Sequence, residues 1–123
     1  MLPEPSYVNL GLGMPTLISD YVGGRDVVLH SENGLLGYSG LATPESFDPD
    51  LYNAGSQFVT LAPGASFFDS VTSFEMVRGG HVDVVVLGAF RVDAEASIAN
   101  WTTPRSTVER SAGRWTSSPA GRR

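Results

Sequence analysis

The chain has 123 residues, 41% of them hydrophobic and 17% charged, which supports one folded domain with a modest core and excludes a disordered chain. A formal net charge of -5 excludes a nucleic-acid surface as the main function. Cysteine is absent, which excludes disulfides and thiolate metal sites and makes a cytoplasmic location the default.

No apolar run approaches the length of a membrane span. Met1-Leu2-Pro3-Glu4-Pro5 lacks the basic flank and apolar stretch of a signal peptide. Pro3 and Pro5 make the start irregular. A first strand is expected over 6–10, followed by a tight turn at Gly11-Leu12-Gly13. Pro15 then suits the first turn of a short helix over 15–22, which Gly23-Gly24 ends. Val27-Val28-Leu29 reads as a buried strand. Strand, helix and strand make a βαβ unit. Gly-x-Gly follows a strand, but the full spacing of a dinucleotide loop is absent.

Ser31-Glu32-Asn33-Gly34 turns away from that strand, so one carboxylate, Glu32, stands where a strand meets a Gly-bearing turn. Open α/β sheets bind ligands at that edge. A glutamate there can be a base, a ligand, a salt-bridge partner, a nucleophile or simply a solvated loop acid. His30 precedes it, but alternation along a strand points the imidazole to the face opposite its neighbour's side chain, so it is not read as a base.

Residues 38–50 read as a polar, Pro-containing surface loop. Asn53-Ala54-Gly55 is a turn, and a short strand over 58–61 is closed by Pro63-Gly64. A helix is expected over 66–78, with Ser66 as N-cap, Asp69 as the capping-box acid, and Phe67, Val71 and Phe74 as a core stripe. Gly79-Gly80 stops it, and His81 falls at the turn that follows. Residues 82–87 form the clearest strand, nearly all apolar as a buried parallel strand requires, and Gly88-Ala89 ends it. A hairpin is expected over 90–101 around Ala94-Glu95-Ala96.

Several segments taken together resemble the B subunit of the 3-oxoacid CoA-transferases, the family I CoA-transferases. They are Tyr7-Val8-Asn9-Leu10-Gly11-Leu12-Gly13-Met14-Pro15-Thr16, Ser31-Glu32-Asn33-Gly34-Leu35-Leu36-Gly37, and Asp48-Pro49-Asp50-Leu51-Tyr52-Asn53-Ala54-Gly55. Further along come Pro63-Gly64-Ala65-Ser66-Phe67-Phe68-Asp69-Ser70, Met76-Val77-Arg78-Gly79-Gly80-His81, Leu87-Gly88-Ala89-Phe90 and Ala99-Asn100-Trp101. Their order and number over residues 7 to about 101 carry the resemblance.

The resemblance implies an α/β, three-layer domain with a mainly parallel sheet of the CoA-transferase type, over residues 1–101. It implies that Glu32 is the nucleophile, passing through an acyl-glutamyl anhydride and a glutamyl-CoA thioester. The donor would be an acyl-CoA such as succinyl-CoA, and the acceptor a 3-oxo acid such as acetoacetate or 3-oxoadipate. Coenzyme A enters as a substrate, and no metal or organic cofactor is implied. The backbone at Gly88 and Ala89 is the candidate oxyanion site, where glycine permits close approach. A strand-to-loop turn is the plain alternative for Gly88. Asn53 and Gly55 are candidates for shaping the CoA channel, with a structural Asx turn the alternative for Asn53. The partner implied is a CoA-transferase A subunit, and neither nucleic acid nor membrane is.

The family's B subunits carry a helical segment before the first strand and continue beyond Asn-Trp, so the domain is expected to be incomplete at its C-terminus. Residues 102–123 have no usable period and hold five arginines, at 105, 110, 114, 122 and 123, as an irregular basic end does. Tryptophan has a single codon. With GC-rich neighbouring codons and a CGA codon for Arg114, reading one base earlier turns residues 110–121 into Val-Gly-Gly-Ala-Met-Asp-Leu-Val-Ala-Gly-Gly. The family carries a similar Gly-Gly-Ala-Met-Asp-Leu segment after Asn-Trp, so the tail is read as out of frame. The rival readings are an inactive remnant or partner-binding fragment, and a sugar-phosphate isomerase using Glu32 as a base. The Ser-Glu-Asn-Gly and Pro-Gly-Ala-Ser-Phe-Phe-Asp-Ser segments disfavour the isomerase.

Overall fold

The computed structural model describes residues 2–100. Five strands, β1 (Ser6–Leu10), β2 (Val27–Ser31), β3 (Leu35–Leu41), β4 (Val59–Phe67) and β5 (Val84–Val86), form one sheet in the order β4-β3-β2-β1-β5. β6 (Arg91–Val92) and β7 (Ile98–Ala99) form a small separate hairpin. A 3₁₀ segment covers Met14–Tyr21 and a helix, α1, covers Ser70–Arg78. The fold class is α/β, as expected. β1 runs parallel to both β2 and β5, and the antiparallel pairs β2–β3 and β3–β4 extend the sheet on one side.

The βαβ unit stands as read. β1 and β2 pair in register, Val8 with Leu29 and Asn9 with His30. Alternation puts these two pairs on opposite faces. Val8, Leu10 and Leu29 join Val22, Leu35, Tyr38 and Val59 in the apolar core, and Ile18 packs on it. The 3₁₀ segment therefore covers that face. On the other face Ser73 of α1 meets His30. Two helical segments on opposite faces of a sheet give the three layers. Burial of Tyr38 in this core pushes its phenol up to about 12.

Five local expectations are corrected or refined. The short helix is present over Met14–Tyr21 and is of the 3₁₀ type. Thr16 donates both its amide and its hydroxyl to the Gly13 carbonyl, at 3.0 and 2.7 Å, and the Ser19 hydroxyl donates to Thr16 O at 2.8 Å. Such three-residue bonds favour the tighter coil. Tyr38 belongs to β3 and not to a loop, because β3 pairs with both β2 and β4. β4 continues through Pro63-Gly64 to Phe67. It is the outer strand, where a missing N–H is tolerated, and the pair Leu36/Ser66 steps to Tyr38/Leu61 through a bulge that absorbs the turn signal.

The fourth correction follows from the third. With Ser66 in β4, α1 starts later, and Asp69 is the N-cap itself. Its carboxylate accepts from Val71 N and Thr72 N at 2.9 and 3.1 Å. The hydroxyl of Thr72 adds a bond at 2.9 Å, and together these donors hold the Asp69 carboxyl below its usual range. The last strand of the sheet is also shorter than read, three residues within 82–87. The hairpin at 90–101 is present, turning between Asp93 and Ser97. The tail expected over 102–123 lies outside the described residues.

Candidate active site

β2 ends at Ser31, and the chain reverses at once, Gly34 N donating to Ser31 O at 3.0 Å. Glu32 therefore occupies the first corner of a β-turn at the C-terminal end of a parallel strand, half-buried. Gly34 sits at φ 107°, a backbone that side chains rarely adopt. A Cβ there would run into the Phe68 carbonyl oxygen. Phe68 N in turn donates to Gly34 O at 3.0 Å, so the junction between β4 and α1 is seated against the turn.

Both neighbours of Glu32 reach the same distant loop. Ser31 Oγ accepts from Ala54 N at 2.8 Å, and Asn33 Nδ2 donates to Tyr52 O at 2.8 Å. The loop holding Asn53 and Gly55 is thus brought to the Glu32 turn. Asn53 itself is buried. Its Oδ1 accepts from Gly55 N and Gln57 N at 2.9 and 3.1 Å, and its Nδ2 donates to Gln57 Oε1 at 3.1 Å. That is the Asx arrangement, which shapes the loop from inside. Gly55 borders a cleft of about 260 Å³ shared with Gly13, Met14, Thr16, Leu17 and Gln57.

Gly88 and Ala89 follow β5 at the same sheet edge. Gly11 N donates to Val86 O at 2.8 Å, and a Cβ on Gly88 would face Leu12 O. The loops after β1 and β5 therefore lie side by side. β2 and β5 are both neighbours of β1, so the Glu32 turn and Gly88 leave the sheet two strand spacings apart, about 10 Å. The buried Asn100 carboxamide accepts from Phe90 N at 2.9 Å, tying the β6–β7 hairpin to the segment that contains Gly88 and Ala89.

Beneath Glu32 lies a buried polar group. His30 Nδ1 is 2.9 Å from Asn9 Oδ1, and His30 Nε2 is 3.1 Å from Ser73 Oγ. The ring stacks on Phe68 with centroids 5.9 Å apart. Desolvation drives the imidazole down to about 4, so it is neutral at pH 7. With both ring nitrogens occupied, it is not a general base. His81 donates its amide to Met76 O at 2.9 Å, closing the end of α1, which is a structural role.

Sequence reasoning missed Asn9, Ser31, Asn33, Ser73 and Asn100 as supporting residues. A signal was available for one of them, Asn9, and the same signal holds for His30. Asn9 and His30 are polar residues inside otherwise apolar parallel strands, and such positions are occupied only where partners are provided. Among the described residues no group of three His, Asp or Glu side chains is placed to hold a metal, and no helix is long and apolar enough to cross a membrane.

The family model described as "Coenzyme A transferase" matches residues 2–117. The chain is 53% identical over 102 residues to the B subunit of the 3-oxoadipate CoA-transferase of Pseudomonas putida, a match covering 83% of this chain and 48% of that one. It is 47% identical over 108 residues to the B subunit of the succinyl-CoA:3-ketoacid coenzyme A transferase of Helicobacter pylori, covering 88% and 52%. With the beta subunit of the acetate CoA-transferase of Escherichia coli it shares 46% over 108 residues, covering 87% and 49%. The chain spans about half the length of these relatives.

Proposed function

The chain belongs to the coenzyme A transferase family, and from that premise we propose that it is part of a B subunit that moves coenzyme A from an acyl-CoA to a 3-oxo acid through Glu32. The observation that carries the reading is the seating of Glu32. It stands at the C-terminal end of a parallel strand, in a turn whose other members are hydrogen-bonded to the 52–54 loop and to the β4–α1 junction.

A Glu32 carboxylate oxygen attacks the thioester carbonyl, and the CoA thiolate leaves, giving a mixed anhydride. The thiolate then attacks the glutamyl carbonyl, which expels the donor's carboxylate and leaves a glutamyl-CoA thioester. The acceptor carboxylate attacks that thioester, and the thiolate leaves once more. Finally the thiolate takes the acceptor's acyl group from the second anhydride, and the Glu32 carboxylate is regenerated. A carboxylate nucleophile suits this exchange because the anhydride keeps the reactivity of the thioester that formed it. Water has to be kept out, since it would hydrolyse both intermediates.

In this reading the amide groups at Gly88 and Ala89 steady the tetrahedral oxyanions, and the cleft at Gly55 accommodates part of coenzyme A. Succinyl-CoA is the donor proposed, with acetoacetate or 3-oxoadipate as acceptor. These choices take their support from the names carried by the Pseudomonas and Helicobacter relatives. An A subunit completes the site, a partner that the relatives' names suggest. A cytoplasmic location belongs to the same reading and rests on the cysteine-free sequence.

The test is chemical trapping. The chain, assembled with a CoA-transferase A subunit, is treated with acetoacetyl-CoA and then hydroxylamine or borohydride, and peptides are mapped by mass. A hydroxamate or alcohol at Glu32, formed only with the CoA ester and accompanied by loss of turnover, is the expected result. Turnover with no label at Glu32 rejects the reading.

A further inference from the structure

Three polar side chains that the proposed chemistry does not use meet below the Glu32 turn: Asn9 of β1, His30 of β2 and Ser73 of α1, each fully buried. Stability alone does not call for them. The opposite face of the same two strands is filled by Val8, Leu10 and Leu29, and buried polar groups gain at best a small net stability when every bond is made.

Their bonds have a direction. With Asn9 Oδ1 facing His30 Nδ1, the Asn9 Nδ2 group is buried without a partner. A carboxamide keeps its shape when its oxygen and nitrogen are exchanged, and an orphaned N–H costs more than an under-used carbonyl. Exchange lets Asn9 Nδ2 donate to His30 Nδ1. His30 Nε2–H then donates to Ser73 Oγ, and the Ser73 hydroxyl hydrogen is released toward its other neighbour, Ser31 O, at 3.4 Å. That carbonyl is the one that closes the Glu32 turn by accepting from Gly34 N.

We propose that Asn9, His30 and Ser73 form a one-way hydrogen-bond chain whose last donor holds the Ser31 carbonyl, making His30 and Ser73 positioning residues for Glu32. The proposal rests on the reading of Glu32 as the nucleophile. The chain joins β1, β2 and α1 in one line, and Phe68 stacks on the ring from the junction that also grips Gly34. A turn supported this way presents its carboxylate in one orientation, which is what an attack on a thioester carbonyl needs.

The test uses the assembled enzyme and the chain itself. Ser73→Ala removes only a hydroxyl and is expected to lower kcat about tenfold or more. KM for the CoA ester should be unchanged, and Ser73→Thr should restore the rate. Glu32→Gln is run beside them. Loss of turnover in Glu32→Gln with wild-type kcat in Ser73→Ala overturns the positioning role alone, whereas turnover retained in Glu32→Gln overturns the nucleophile reading and the proposal with it. Nitrogen-15 NMR of the imidazole decides independently of folding or activity in any variant. Protonated Nε2 with bare Nδ1 is expected, and protonated Nδ1 overturns the chain.

Discussion

Ser31 and Ala54 are 23 residues apart in sequence, yet the Ser31 hydroxyl accepts the Ala54 amide at 2.8 Å. One residue on from Ser31 stands Glu32, and one residue on from Ala54 stands Gly55 at the edge of its cleft. The bond therefore couples the acid to the loop proposed to receive coenzyme A.

Removing that coupling has a readable cost. Ser31→Ala leaves the Ala54 amide without its acceptor, a loss of about 1–3 kcal/mol. A lower Tm is expected, and with it a several-fold rise in KM for the CoA ester. Calorimetry and steady-state kinetics check the pair of effects. An unchanged KM would separate the loop from the binding of the ester.

The buried imidazole makes stability depend on pH. His30 is pushed down to about 4 in the folded chain by desolvation, against about 6.5 when unfolded. The unfolded chain therefore binds the extra proton between these values. The contribution is fully present above pH 6.5 and is lost as pH falls toward 4, on the order of 3 kcal/mol in all. Urea titrations of the wild type at pH 7 and pH 4.5 should show the loss. His30→Gln should show a smaller one over the same interval, because glutamine does not titrate.

Gly34 allows no side chain. Its φ of 107° and the Phe68 carbonyl against it make Gly34→Ala destabilising by about 2 kcal/mol or more. A Tm shift measures it. By contrast, Gly23→Ala, with nothing near the added methyl and no positive φ, should leave Tm close to the wild-type value.

The start of α1 is open to a direct comparison. Asp69 accepts two backbone amides and the Thr72 hydroxyl, whereas Ser66 lies on β4. Asp69→Ala should lower Tm, and Ser66→Ala should not. Circular-dichroism melts of the two variants distinguish an N-cap at Asp69 from one at Ser66.

Local order was legible where short-range rules decide it. The β1, 3₁₀ and β2 unit follows from apolar strands separated by a Gly turn and Pro15, and the Asn53 turn follows from Asx chemistry. The family was legible too, because its segments recur in order along the chain. What the sequence left open is set by strand neighbours. Pro63-Gly64 reads as an end and is instead a bulge, since only the sheet order makes β4 an edge strand. Asp69 became a cap because β4 claimed Ser66 first. Likewise, nothing in the spacing of Asn9, His30 and Ser73 announces one buried line. Sequence alone determined β1, β2 and the Gly- and Asx-bearing turns, through side-chain size, branching and glycine. Tertiary structure alone decided which polar groups meet beneath Glu32, because hydrogen bonds between elements depend on register and packing, which no local pattern contains.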